Sequence, residues 1–336
     1  MRRLIGLWAL LACLAGLVPW SGAAQAKAPP LRTHRIGVPD GATPGPVSGG
    51  LLLLGGGDRD AAAMRWFFEK AGHGHIVVLR ASYGGEIGEE FYRNIGGVAS
   101  VETFVFNDRA AAWDETMLAR LRAADGIFIA GGDQARYVRF WKGSPVAAAL
   151  DAHVAAGRPI AGTSAGLAIL GEHFYGAADG GSITSLEALA APLGPANGID
   201  TDFLHIALLK GVITDTHFKE RDRLGRLFAF LARAQSGRAA DQPALIGLGV
   251  DENAAVAVEP DGRGRVFGPG PQDGAWLVDG AALRHHAGPG ALDAPRVTVT
   301  RIGPQSNLHL PSGSVEHPLA VRHYAAGNGR LAEAAR

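Results

Sequence analysis

Arg158-Pro159-Ile160-Ala161-Gly162-Thr163-Ser164-Ala165-Gly166-Leu167-Ala168-Ile169-Leu170 reads as a short buried strand that turns sharply into a helix, with a serine at the corner. Small residues on both sides of Ser164 let the backbone fold tightly, so the hydroxyl projects at the mouth of a sheet above a helix N-terminus. The Gly-x-Ser-x-Gly pattern alone says little in a chain with 48 glycines. The strand before it and the apolar helix after it give it meaning.

Working outward, the same alternation recurs. Leu51-Leu52-Leu53-Leu54 is a continuous apolar run ending in Gly55-Gly56-Gly57-Asp58, and Ala61 to Ala71 puts Met64, Phe67, Phe68 and Ala71 on one helical face. Strands follow at Ile76 to Leu79 and Val101 to Phe106, with a helix around Glu89 to Asn94 between them. Ala110 to Ala123 reads as a helix, Ile127 to Ala130 as a strand, and Ser144 to Ala156 as the helix leading to the corner at Ser164. Strands apolar on both faces, alternating with helices, specify an α/β fold: three layers, α/β/α, around a mostly parallel sheet. Ligands of such sheets bind beyond the carboxyl ends of the strands, where the Gly-rich turns lie. From about residue 254 the pattern changes to short alternating strands, read as antiparallel additions to the same domain. The expected organisation is a signal peptide over 1–26, a flexible leader over 27–50, one domain over 51–303, and a tail over 304–336 without clear period.

The chain of 336 residues is 47% hydrophobic and 19% charged, with a formal net charge of zero. Nothing in that balance favours nucleic acid or an anionic membrane surface. Arg2 and Arg3, the apolar run Leu4 to Val18, and Ala24-Gln25-Ala26 have the layout of an export signal cleaved near Ala26, with no stable membrane span. Export places the mature chain in the periplasm or outside the cell. Leu10-Leu11-Ala12-Cys13 offers a rival, a lipid anchor on Cys13. Cleavage after Ala26 removes the only cysteine, and with it any thiolate chemistry. No phosphate loop or metal motif appears; His73-Gly74-His75 lacks a third ligand nearby and reads as a surface turn, so neither metal nor cofactor is expected. A homodimer is the ordinary expectation for a soluble enzyme.

A serine hydroxyl needs a base, and the base needs an orienting group. Of 12 histidines, His217 has the most suggestive context, at the end of the apolar strand Gly211-Val212-Ile213-Thr214 and ahead of a charged segment. If a helix starts there, Arg221 lies one turn on, beside the base, where a guanidinium suits a substrate carboxylate. Three carboxylates compete as the third group. Glu252 follows a strand end, Glu187 lies between serine and histidine, and Asp215 sits two residues from His217 along a strand, so that the two share a face. The turn Gly131-Gly132-Asp133-Gln134 suits an oxyanion hole at Gly132, with the Ala165 N–H as second donor.

Gly131-Gly132-Asp133-Gln134, Gly162-Thr163-Ser164-Ala165-Gly166, Asp215-Thr216-His217-Phe218 with Arg221, Arg223 and Arg226, and Gly249-Val250-Asp251-Glu252 together resemble the cyanophycinases. These are S51 serine peptidases related to aspartyl dipeptidases. The resemblance covers roughly Leu51 to Val258. It implies a fold like class I glutamine amidotransferases (flavodoxin-like) and a Ser–His–Glu triad, carried here by Ser164, His217 and Glu252, with Glu187 as the alternative acid. It further implies a peptide or cyanophycin-type polymer as substrate, bound through Gln134, Asp215, Thr216, Arg221, Arg223 and Arg226. Thr216 stands where cyanophycinases usually carry Gln, and Lys219-Glu220 also departs from their pattern. An α/β-hydrolase esterase would instead need a late histidine such as His317 or His323, and a His-Gly-Gly type loop that is absent. A non-catalytic binding protein with the same fold would not need the intact Ser, His and Glu.

Overall fold

Successive side chains of a strand leave opposite faces, so a strand that is apolar at every position must be covered on both. In the computed structural model, which describes residues 28–334 apart from 39–42, 83–86, 180, 285 and 287, Leu51 and Leu53 enter one apolar core while Leu52 and Leu54 enter another. The expected export segment, including Cys13, lies outside the described residues.

The first strands are β1 (Leu31–Gly37), β2 (Leu51–Leu54), β3 (His75–Arg80), β4 (Ser100–Phe106), β5 (Gly126–Ile129) and β6 (Ile160–Thr163). They pair in parallel in the order β4-β3-β5-β6-β2, with β1 antiparallel along the outer side of β4. Next come β7 (Phe174–Tyr175), β8 (Ile199–Asp200), β9 (Val212–Asp215), β10 (Ile246–Val250), β11 (Ala255–Val258) and β12 (Arg263–Phe267). The last are β13 (Ala275–Asp279), β14 (Ala294–Ile302), β15 (Asn307–His309), β16 (Ser314–Glu316), β17 (Ala320–Gly327) and β18 (Arg330–Glu333). Strands β11, β12, β15 and β16 extend the first sheet antiparallel beyond β2.

The helices are α1 (Ala61–Lys70), α2 (Ile87–Glu89), α3 (Glu115–Ala123), α4 (Gln134–Trp141), α5 (Pro145–Ala155), α6 (Ala165–Ala168), α7 (Ser185–Ala190) and α8 (Leu224–Gln235). On one face of the first sheet, α1 buries Met64, Phe67 and Phe68 against Leu52, Val78 and Phe128. Helices α3 to α5 cover the other face, with Leu118, Trp141 and Leu150 against Leu51, Leu79 and Ile129. Each fully buried side chain of this size contributes about 1.5–3 kcal/mol, which the two faces multiply. The Asp60 carboxylate accepts from the Ala62 and Ala63 N–H groups and so starts α1. This is the expected three-layer α/β/α arrangement.

Several boundaries differ from the sequence reading. The C-terminal strands do not all join one sheet: β9, β10, β13, β14, β17 and β18 make a second, six-stranded sheet in which only β9 and β10 run parallel. Helices α7 and α8 pack on it with their own apolar core around Ile213, Phe230 and Val299. The leader contains β1 and the tail contains β15 to β18. Most of their side chains are exposed, so no apolar period marks them. The helix expected from Ala110 breaks at Asp114, whose carboxylate accepts from the Met117 N–H and caps α3. The one expected around Glu89 is the single turn α2 followed by a π-helical turn, Glu90–Ile95. Among the described residues no helix is long and apolar enough to cross a membrane.

Candidate active site

Strand β6 ends at Thr163, and the chain turns at Ser164 with φ 51° and ψ −120°, a conformation that strains a non-glycine residue. The Ser164 N–H donates to the Leu54 carbonyl at 3.1 Å, so the corner is tied to the end of β2. Gly166 is obligatory here, because a Cβ would lie 2.2 Å from the Ile129 carbonyl oxygen. The helix after the serine is shorter than expected: α6 is a single turn, so the corner is set by backbone geometry more than by a helix dipole.

His217 comes from the end of β9. Its N–H donates to the Gly55 carbonyl at 2.8 Å, its φ is 46°, and the Phe218 N–H donates to Val250 at the end of β10 at 3.1 Å. Gly56, with φ 118°, lies against the imidazole, where a Cβ would approach Cε1 to 2.2 Å. Ser164 Oγ is 2.7 Å from His217 Nε2. On the other side of the ring, Nδ1 makes a short hydrogen bond with Glu252 Oε1. A neutral imidazole that donates from Nδ1 accepts the serine proton at Nε2. Burial holds the His217 pKa below its ordinary value; the hydrogen bond to Glu252 opposes this, and the Arg221 charge adds to the depression. The ring is therefore neutral near pH 7, the form that can act as a base.

Glu252 follows β10, and its N–H donates to Glu220 Oε2 at 2.9 Å. The structure brings Glu252, and not Glu187, to His217. Glu187 is exposed and closes a capping box on α7: its Oε2 accepts from the Thr184 N–H at 2.9 Å and from Oγ1 at 2.7 Å. These bonds hold its carboxyl below the usual range. Asp215 does not share a face with His217 either, because strand geometry ends at Asp215 and the positive φ of His217 breaks the alternation.

Asp215 instead takes two hydrogen bonds from Arg226, one from Nε at 2.7 Å and a shorter one from Nη2. Arg223 Nη1 lies 3.6 Å from Asp215 and donates to the Thr216 carbonyl at 2.8 Å and to Oγ1 at 3.1 Å. Burial, above all, pushes the Arg223 pKa down to about 10, against the pull of Asp215. All four residues are buried. Expected in the substrate pocket, Asp215, Thr216, Arg223 and Arg226 are thus committed to one another, since a buried guanidinium must be paired. Gln134 donates to the Tyr175 carbonyl at 2.8 Å and is likewise engaged in the fold. Arg221 is the exposed member of the set, with Nε 3.7 Å from Glu252 Oε1. It reaches that position from the turn before α8; the helix starts at Leu224 and not at the histidine.

A cavity of about 320 Å³ opens on Ser164 and His217. Gly131 lies directly against the serine, where a Cβ would sit 3.2 Å from Ser164 Cβ. Gly132 has φ 145° and packs on Ser82. Asp133 caps α4 through the Ala135 N–H at 2.9 Å, so this turn is also an ordinary helix start. The far wall carries Arg59, Arg80 and Glu90. Arg59 forks onto Glu90, with Nε 2.7 Å from Oε1, and Arg80 Nε donates to the Ser82 carbonyl at 2.9 Å. Sequence reasoning missed this wall. The Gly55-Gly56-Gly57-Asp58 turn pointed to it, but Glu90 approaches only through tertiary packing. Among the described residues no group of three or more His, Cys, Asp or Glu is arranged to hold a metal.

The sequence profile of peptidase family S51 matches residues 104–263, a span that holds Gly132, Ser164, His217 and Glu252. A cyanophycinase of Synechococcus elongatus is 36% identical over 187 residues, covering 55% of this chain and 52% of the relative. A cyanophycinase of Trichormus variabilis is 29% identical over 255 residues, covering 72% of this chain and 78% of the relative. The chain thus spans about half the length of the first of these. Among solved structures, a peptidase from an acI-B1 Actinobacterium matches with a TM-score of 0.49 at 16% identity, over 81% of this chain and 98% of that one. A putative peptidase E protein from Listeria monocytogenes EGD-e matches with a TM-score of 0.38 at 17% identity, over 65% and 96%. By its sequence matches and the motifs within them, this chain is similar to the peptidases of family S51 over the span that carries Ser164, His217 and Glu252.

Proposed function

We propose that this chain is an exported serine peptidase that cleaves cyanophycin to β-Asp-Arg dipeptides, or a closely related Asp-containing peptide. The observation that carries the reading is the continuous hydrogen-bonded line from Ser164 Oγ through His217 to Glu252. Ser164 Oγ attacks the scissile carbonyl while His217 Nε2 takes its proton. Glu252 holds the Nδ1–H and stabilises the imidazolium. The N–H groups of Gly132 and Ala165 receive the oxyanion. His217 then protonates the leaving amine, and water releases the acyl group by the reverse sequence of transfers.

Cyanophycin as substrate rests on the family resemblance and on the relatives named above. Arg221 at the rim and the paired Arg59 and Glu90 across the cavity supply local charges of both signs for a zwitterionic substrate. The deciding experiment incubates the mature protein, and Ser164→Ala, with cyanophycin and with a panel of α- and β-aspartyl dipeptides. Release of β-Asp-Arg that stops with Ser164→Ala supports the reading. Activity confined to aspartyl dipeptides reassigns the substrate, and unchanged hydrolysis by Ser164→Ala removes the mechanism. Export is tested by mass spectrometry of the chain recovered from outside the cytoplasm, which should begin at Lys27.

A further inference from the structure

Asp251 is a carboxylate with no exposed surface, placed directly before Glu252 and unused by the mechanism above. Burying a charge is costly unless it is paired and hydrogen-bonded, and Asp251 is provided for from three directions. Its Oδ1 accepts from Trp276 Nε1 at 2.8 Å and from the Lys219 N–H at 3.1 Å. Its Oδ2 lies 3.5 Å from Arg301 Nη2. Trp276 belongs to β13 and Arg301 to β14, whereas Lys219 is two residues beyond His217.

The main chain of the same residue makes further ties. Its N–H donates to the Gly274 carbonyl at 2.9 Å, and its own carbonyl accepts from Ala254 at 3.2 Å. That carbonyl also lies where a Cβ on Gly55 would come within 2.0 Å, and Gly55 accepts the His217 N–H. The Trp276 ring stands 5.7 Å from the Phe218 ring and beneath the Arg301 guanidinium, 4.0 Å above its centroid. Burial pushes the Asp251 carboxyl up, while its donors and the Arg301 charge pull it down.

We infer that Asp251 is a positioning residue. It fastens the His217 turn and the Glu252 turn to the antiparallel strands β13 and β14, so that the second sheet sets the geometry of the serine site. Loss of the tie leaves the cavity in place and loosens the hydrogen bond between His217 and Glu252. A displacement on that scale acts on turnover and leaves binding largely unchanged.

The inference rests on the proposed Ser164–His217–Glu252 mechanism, and the test separates the two. Asp251→Asn and Trp276→Phe are compared with wild type and Ser164→Ala by cyanophycin cleavage, by thermal unfolding, and by the downfield proton NMR signal of His217 Nδ1–H. Asp251→Asn should lower kcat about 10- to 100-fold with KM within about twofold, and should shift or abolish the downfield signal in a chain that still unfolds cooperatively. Trp276→Phe keeps the ring and loses one donor, so kcat should fall about fivefold with KM unchanged. If Asp251→Asn does not fold, Trp276→Phe and its NMR signal decide. Wild-type kcat and an unchanged signal in a folded variant overturn the inference, as does a loss confined to KM. Ser164→Ala that still cleaves would overturn the mechanism itself, and an inactive Ser164→Ala beside a fully active Asp251→Asn would overturn only the positioning role.

Discussion

Two clusters of charged and polar side chains grow from the end of β9, two residues apart, and they face opposite fates. His217 joins Ser164 and Glu252 at the mouth of a cavity, on backbone bent into positive φ at both the serine and the histidine. Asp215 joins Arg226 and Arg223 in the interior, where the charges satisfy one another. In the first cluster each group keeps a bond that chemistry can exchange: the serine proton can pass to Nε2. The second has no such freedom, because its guanidinium protons are held by buried acceptors. Charge pattern in the sequence does not tell these apart. Backbone direction after Asp215 does.

The comparison breaks most visibly at the serine. Ser164→Ala should lower kcat by about a million-fold while leaving the unfolding transition near that of wild type, read as product release and as thermal unfolding. Next in size, Glu252→Gln should cost about 10⁴-fold in kcat, by disturbing the His217 tautomer. The same exchange at Glu187 should leave kcat unchanged and lower the unfolding temperature slightly, since it loosens a cap. Parallel effects at the two glutamates would reverse the assignment of the acid.

In the buried cluster the effect should fall on stability. Arg226→Ala takes away both hydrogen bonds to the buried Asp215 carboxylate and leaves it only the more distant Arg223, so it should destabilise the fold by about 3 kcal/mol, measured by denaturant unfolding. A variant that folds as wild type but binds substrate poorly would return Arg226 to the pocket. The smallest effect concerns pH. His217 is held below its ordinary pKa, so the imidazole stays neutral to lower pH, and the acid limb of kcat/KM should lie below about 6.5. Arg221→Gln removes a positive neighbour, raises the His217 pKa, and should move that limb to higher pH.

Much of the parallel half was readable because period and burial agree. Leu51 to Leu54 and Ile127 to Ala130 are apolar at every position, and strands between two helix layers must be. Ser164 and His217 were readable as candidates because each follows a strand end with a distinctive turn, whereas Glu252 was one of three competing carboxylates and was singled out only by the family resemblance. Strands β15 to β18 were not, since most of their side chains meet solvent and leave no apolar alternation. The wall of Arg59 and Glu90 was hidden for another reason: the partners lie 31 residues apart, and their meeting depends on how α1 and the π-helical turn pack.

The sequence by itself determined the α/β layering, the serine corner and the short roster of groups that could serve it, because these follow from local period, small-residue turns and strand ends. Only the tertiary structure decided which carboxylate meets His217, which arginines are buried, and that a second sheet stands behind the site through Asp251. Each of those outcomes depends on the direction a side chain takes when distant strands come together. A single positive φ at His217 is enough to send neighbouring charges to different sides of the fold.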